Sequence, residues 1–286
     1  MNDPNPSLLP VSVCIPVRNE ALNLPACLAG LEQFREVVVV DSGSTDGTAE
    51  IARQAGAQVL QFEWNGRFPK KRNWALRNHP FRNDWVLFLD ADERMNSAFT
   101  DELRRVLPET RHAGFWISFT NWFIGRPLHH GDVFRKLALF RRDAGEYETM
   151  PEESWSALDM EIHEHPVLNG TTGDLTTRLE HHDFRDLRNY LARHNEYSTW
   201  EANRYLWLRR ADARAWAALN PRQRFKYRHL RQWWFGWFYW AVAVIAKRGF
   251  QDGLAGMRLA RLKRRYFEEI RLKILEAEAR PGITGA

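Results

Sequence analysis

Apolar and polar residues along the first hundred positions come in short blocks with two different periods. Runs near 11–16, 36–40, 58–61 and 85–89 read as strands, and segments near 22–33, 47–55, 70–78 and 97–106 carry helical spacing. Val37-Val38-Val39-Val40 and Trp85-Val86-Leu87-Phe88-Leu89 are apolar throughout. Such runs are expected to be strands buried on both faces of a parallel sheet. Regular alternation of strand and helix predicts an α/β domain with helices on both sides of that sheet. Gly114 to Ile124 and Arg135 to Phe140 read as further strands of mixed direction. Arg142 to Asp174 is loop-like and rich in acids, a length that signals function or mobility. From Arg185 onward the pattern is helical, with breaks at Pro221 and between Gly249 and Gly256.

Chemistry collects where the predicted strands end. Ligands of open α/β sheets bind at these ends. The run 85–89 leads into Asp90-Ala91-Asp92. In an extended chain residues i and i+2 point the same way, so the two carboxylates are expected to converge. Oxygen ligands of this kind suit Mg²⁺ or Mn²⁺, and such a cation suits a diphosphate. Asp92 is the expected metal ligand, with Asp90 on a ribose or a metal-bound water, and the pair His181-His182 is a candidate source of a further ligand. The run 37–40 ends in Asp41 and a turn of Ser, Gly, Thr and Asp, and Asp46 is placed to cap the helix that follows. Asp41 can accept hydrogen bonds from a base or ribose. Lys71, Arg72 and Asn73 open a helix just after Pro69. Cations at a helix N-terminus oppose its dipole, which favours a ligand there, such as a base, ribose or phosphate.

In combination these residues resemble family 2 glycosyltransferases with the GT-A fold. The matching stretches are Pro16 with Asn19-Glu20, Val39 through Asp46, Lys71-Arg72-Asn73 and Asp90-Ala91-Asp92-Glu93. Gly125-Arg126, His130-Gly131, Leu139-Phe140-Arg141-Arg142, His163-Glu164 and Gly249-Phe250 with Asp252-Gly253 look like the subgroup that builds lipopolysaccharide cores and related envelope glycans. The likeness spans about residues 10 to 260. It implies a Rossmann-like, mostly parallel sheet with flanking helices, and a nucleotide site drawn from Pro16, Arg18, Asn19, Glu20 and Asp41. It also implies a base that activates an acceptor hydroxyl. Glu164 matches best, with Asp132, Asp159 and Glu161 as rivals. Arg141 and Arg142 are candidates for a donor or acceptor phosphate, since Arg offers a planar fork. The implied reaction is transfer of a sugar, with inversion, from a nucleotide diphosphate (UDP by expectation) to a lipid-linked or lipopolysaccharide-type acceptor. A nucleotidyltransferase on a related sheet normally opens with a Gly-rich phosphate loop, which Pro16-Val17-Arg18-Asn19-Glu20 is not. A noncatalytic nucleotide-sugar or membrane-binding module is the other alternative.

Composition sharpens the C-terminal third. The 286-residue chain has a net charge of +5, but Arg222 to Lys273 holds 14 Lys/Arg against 3 Asp/Glu, and the remainder is acidic. Within it, Gln232 to Ala246 has no formal charge and includes Trp233, Trp234, Trp237 and Trp240. A spanning helix needs about 20 apolar residues, so this run is too short to cross. Tryptophans between basic flanks fit a helix lying in the interface of an anionic membrane. No nucleic-acid-binding motif accompanies the basic residues. The expected organisation is a catalytic domain over 1–184, with a nucleotide half near 10–107 and an acceptor half near 108–184. A helical membrane-associating extension follows over 185–280, with a frayed tail at 281–286. Cys14 and Cys27 read as reduced core thiols, and no signal peptide is visible. Both fit a cytoplasmic protein held peripherally on the inner face of the membrane.

Overall fold

The computed structural model describes residues 8–131, 133–150, 158–161 and 164–279. Asp132, His163, the tail beyond 279 and part of the loop expected over 142–174 lie outside the described residues. The chain separates into two compact units. One comprises 1–121 with 133–183, and the other 122–132 with 184–286. The division expected at 184 did not foresee that 122–132 joins the helical unit.

The first unit is built on a mixed sheet. Its strands are β1 (Leu9–Val17), β2 (Phe34–Asp41), β3 (Gln58–Gln61), β4 (Trp85–Phe88), β5 (Glu93–Arg94) and β6 (Gly114–Phe123). Next come β7 (Arg126–Leu128, in the second unit), β8 (Phe134–Arg141), β9 (Gly145–Tyr147), β10 (Pro166–Leu168), β11 (Thr172–Asp174) and β12 (Leu179–His181). The order β3-β2-β1-β4-β8-β6-β12-β5 is parallel across its first four strands. β8 then runs antiparallel to both β4 and β6. β9 and β10 pair with each other within the stretch read as a loop.

Burial on both faces explains the apolar runs. Val11, Val13, Ile15, Val39 and Leu87 join one core cluster with Leu24, Cys27, Ala52, Phe99 and Leu103. These last come from α1 (Leu24–Leu28), α2 (Thr48–Gln54) and, after α3 (Lys71–Asn78), from α4 (Ser97–Val106). Cys14, Val38, Val40, Val86 and Phe88 face the other way and pack with Ala75 of α3. Successive residues of one strand thus enter opposite cores, as a pleated strand requires. The helix expected over 22–33 is shorter, because Pro25 opens it and turns replace it after Leu28.

The second unit is helical. It contains α5 (Leu187–Arg210), α6 (Ala213–Ala218), α7 (Pro221–His229), α8 (Phe235–Ala241), a π-helical turn at Val242–Ala246, a 3₁₀ turn at Gly249–Asp252 and α9 (Gly253–Ala279). Phe235 packs edge-on against Phe267 of α9, and Tyr205, Leu208, Tyr227 and Ile270 complete that core. No helix among the described residues is long and apolar enough to cross a membrane. The run 232–246 divides instead: Phe235, Ala243 and Val244 are buried, while Trp233, Trp237, Phe238 and Ile245 are exposed.

Candidate active site

Strand β4 stops at Phe88, and Asp90 to Asp92 form a turn that leads into β5. Two-residue alternation therefore does not hold across the acidic pair, and its carboxylates take different partners. Asp90 is gripped by Arg72 NH2 at 2.6 Å and by Lys136 Nζ at 2.9 Å. Burial by itself raises the Asp90 carboxyl, but Lys136 and Arg72 outweigh it and hold the group well below the usual carboxylate range. Lys136 also bonds Glu93, whose burial pushes its carboxyl up to about 7. Asp90 is thus an ion-paired anchor and not the metal ligand it was expected to be. Lys136 was absent from the sequence reading. Its position follows from register: Trp85, Val86 and Leu87 pair with Arg141, Phe140 and Leu139, and the same antiparallel count brings Lys136 opposite Asp90.

Asp92 turns to β12. Its Oδ1 lies 3.7 Å from His181 Nε2, and Asp92, His181 and Asp183 each offer a ligand atom within 4.8 Å of one another. His181 Nδ1 is 2.9 Å from Asn121 Oδ1. With the Nδ1 proton donated to that oxygen, the Nε2 lone pair is directed to the carboxylates, the usual outer support of a metal-binding imidazole. Phe134 stacks on the ring. Burial raises the Asp92 carboxyl, and neighbouring Asp90 and Asp183 add to this, against a smaller pull from His181. Two carboxylates short of positive charge beside one imidazole fit Mn²⁺ or Mg²⁺. Asp183 is a candidate that sequence reasoning missed. His182 does not belong to this set. It bonds Glu180 at 2.8 Å, and its backbone N–H donates to the Asp92 carbonyl.

Three consecutive cations, Lys70, Lys71 and Arg72, are buried at the start of α3. Each is matched by a carboxylate. Lys70 Nζ meets Glu164 at 2.6 Å with both side chains 1% exposed, Lys71 meets Asp159 at 3.2 Å, and Arg72 meets Asp90. Glu161 answers the helix dipole directly, its two oxygens accepting the N–H groups of Arg72 at 2.9 Å and Asn73 at 3.0 Å. The expected ligand of this cationic helix start is thus, in good part, the chain's own segment 159–164. Asn73 is fully committed to the Tyr147 backbone, donating to its carbonyl and accepting from its N–H.

Beside this cluster lies the turn after β2. Asp41 accepts from the Ser44 N–H and hydroxyl. Asn19, in the left-handed region at φ 55°, donates its N–H to Ser44 Oγ and accepts from the Thr45 N–H. Glu20 N–H donates to Thr48, while Asp46 accepts from Ala21 and Thr48 and so joins the two turns. Ser42 donates to Asp159 at 2.6 Å. Burial raises the Asp159 carboxyl, but Lys71 and Ser42 hold it below its ordinary value. Pro16 is buried in β1 opposite Val40, and Arg18 is exposed at the strand end. The structure does not bring Arg141 here. It pairs with Trp85 at the far end of β4, its guanidinium 4.7 Å from that ring. Arg142 bonds the Phe81 carbonyl.

Comparison with known proteins places this geometry. A family model described as glycosyl transferase family 2 matches residues 12–154. The lipopolysaccharide core biosynthesis glycosyltransferase LpsC of Rhizobium meliloti (strain 1021) is 33% identical over 209 residues, 68% of this chain and 71% of its own length. A TPR repeat-containing protein of Synechococcus elongatus is 41% identical over 108 residues, 37% of this chain. The chain spans 26% of that relative's length. A mannosyltransferase from Pyrobaculum calidifontis, solved with GDP-Man and Mn²⁺, shares the fold at a TM-score of 0.53 and 19% identity, over 93% of this chain and 86% of that one.

Proposed function

Since the chain belongs to glycosyl transferase family 2, we propose that it transfers one sugar, with inversion, from a nucleotide diphosphate donor such as a UDP-sugar to a lipid-linked or lipopolysaccharide-type acceptor. The observation that carries this reading is the Asp92–His181–Asp183 set beside the ends of the parallel strands. Asp92, Asp183 and His181 Nε2 would hold Mn²⁺ or Mg²⁺, which when bound neutralises charge on the leaving diphosphate. Asp41, Asn19 and Arg18 border the place for base and ribose. Arg72 and Lys136 keep Asp90 ionised and fixed, so the turn that carries Asp92 is held in place.

The acceptor oxygen attacks the anomeric carbon, the bond to the diphosphate oxygen breaks, and a carboxylate takes the hydroxyl proton. Glu161 and Asp159 are occupied by α3 and Ser42. Glu164 is the assigned base. Lys70 holds it beside the site as a carboxylate, and the Lys70–Glu164 pair must open to the acceptor for proton transfer. The acceptor class rests on the likeness to LpsC. A lipid-linked acceptor also agrees with the exposed aromatic face of the second unit, which we place on the anionic inner face of the cytoplasmic membrane.

Thermal denaturation with UDP, GDP and their sugars, with and without Mn²⁺, tests the donor site, because a ligand that binds only the native state raises its melting temperature. One nucleotide should stabilise the protein only with Mn²⁺. His181→Ala should abolish that increment and His182→Ala should keep it. Equal loss in both variants, or stabilisation indifferent to Mn²⁺, would remove the assigned ligand set.

A further inference from the structure

Apart from the catalytic unit, the helical unit contains a cavity of about 490 Å³ between the end of α5, α6 and α7. Arg209, Arg224 and Arg228 line it, and among the described residues of its lining none is acidic. None of the three guanidiniums forms an ion pair with a described residue. Arg224 spends one N–H on the Ala217 carbonyl at 2.8 Å. Arg224 and Arg228 are four residues apart on one helix, a spacing at which like charges repel. The remaining wall is aromatic. Tyr227 turns its hydroxyl away to Glu201, and Trp216 donates its Nε1–H to the Leu208 carbonyl, so both polar ends are satisfied outside the cavity. The walls are also held in place. A reciprocal pair of bonds between Asn220 and Gln223 caps α7, and the Asp212 side chain caps α6.

Three unpaired, planar cations converging on one aromatic-walled cavity are what a multiply charged oxyanion requires. We infer that this cavity binds a phosphate group, either the headgroup of an anionic lipid or glycolipid, or a soluble phosphate. Its position favours the headgroup. Phe225, next to Arg224 on α7, packs with Phe238 of α8, and both are exposed. The cavity therefore adjoins the aromatic face of the same unit. The inference does not depend on the transferase reading, and its test reads binding without turnover.

The full-length protein, in EDTA so that the Asp92 set contributes nothing, is mixed with phosphatidylcholine vesicles with and without phosphatidic acid. Inorganic phosphate is titrated separately by thermal shift. Arg224→Gln with Arg228→Gln should weaken binding to phosphatidic acid about thirtyfold, as expected for two charges lost near an anionic surface. Arg258→Gln with Arg261→Gln removes the same charge from exposed positions on α9 and should change it little. If the first pair disturbs folding, Arg209→Gln with Arg228→Gln leaves the Arg224 bond to Ala217 in place and reads the same site. Stabilisation by inorganic phosphate that the cavity variants lose, without vesicle binding, would support the site with a soluble ligand. Equal losses from both pairs of substitutions, cavity variants that bind like wild type, or a wild type that binds neither probe would overturn the inference. Nucleotide stabilisation with Mn²⁺ on the same variants should be unchanged, so failure here is distinct from failure of the donor site.

Discussion

Asp90 and Asp92 sit two residues apart yet answer to opposite neighbours, Asp90 to two cations and Asp92 to an imidazole and a second acid. This gives the two positions different signatures. The folded-state carboxyl of Asp90 lies below its unfolded value, so its contribution to stability is complete above the ordinary carboxylate range and is lost as pH falls through that range. Asp90→Asn strands Arg72 and Lys136, and unfolding at pH 7 should become easier by about 3 kcal/mol. That gap should narrow when chemical denaturation is repeated near pH 3. A pH-independent difference would mean that Asp90 acts through packing and not through charge. Glu164 offers a separate residue-level test. Glu164→Gln keeps the bulk while removing the proton acceptor, so donor stabilisation should persist and transfer to a defined acceptor should fall by about a hundredfold or more. Near wild-type turnover would confine Glu164 to neutralising Lys70 and make Asp132 the next residue to examine.

Among elements, the glycine-rich segment near 249–256 shows how a family-like motif can be architectural. Asp252 accepts the N–H groups of His129 and His130 and bonds the His130 ring, and Gly131 N–H donates to the Lys247 carbonyl. His130-Gly131 and the Gly249 to Gly253 turn are therefore two halves of one junction within the helical unit. Close backbone approach explains the glycines. A Cβ on Gly256 would lie 2.3 Å from the Gly249 carbonyl oxygen, and one on Gly249 would lie 2.7 Å from that of Ala243. Gly256→Ala gains helix propensity but meets backbone that has no side chain to move aside. It should lower stability by about 1–3 kcal/mol, measured by urea denaturation, with the Mn²⁺-dependent nucleotide response intact. A stabilised variant would mean that the turn yields easily.

At the scale of the whole molecule, charge and exposed aromatic surface both concentrate in the helical unit. Trp233 and Trp237 are 68% and 51% exposed, whereas Trp234, expected beside them, is half-buried between His229 and Phe238. Arg264 covers part of the Trp237 ring at 4.2 Å. The face left for a bilayer is thus narrower than the uncharged run implied. Trp233→Ala with Trp237→Ala should reduce co-sedimentation with phosphatidylglycerol vesicles by about tenfold or more, and added salt should weaken the wild type as well. Binding that ignores both substitutions would leave this face without a membrane role.

The α/β class was legible in the residues because strands buried on two faces must be apolar throughout, and because strand–helix alternation leaves few topologies. The acidic turn and the histidine pair were legible as chemistry, since carboxylates and imidazoles after apolar runs stand out from any solvated background. Which of them meet was not legible. Lys136 reaches Asp90 through the antiparallel register of β8, about 46 residues away in sequence, and register is set by pairing across the sheet. His181 and Asp183 share a side while His182 turns to Glu180, an alternation that could have been read had β12, only three residues long, been recognisable as a strand. The cationic start of α3 suggested a ligand, and only the tertiary structure brings Asp159, Glu161 and Glu164 onto it. Local sequence dictates which side chains can bury, bend or carry charge. Long-range packing decides which charge faces which, because the interaction depends on distance in space and not on separation along the chain.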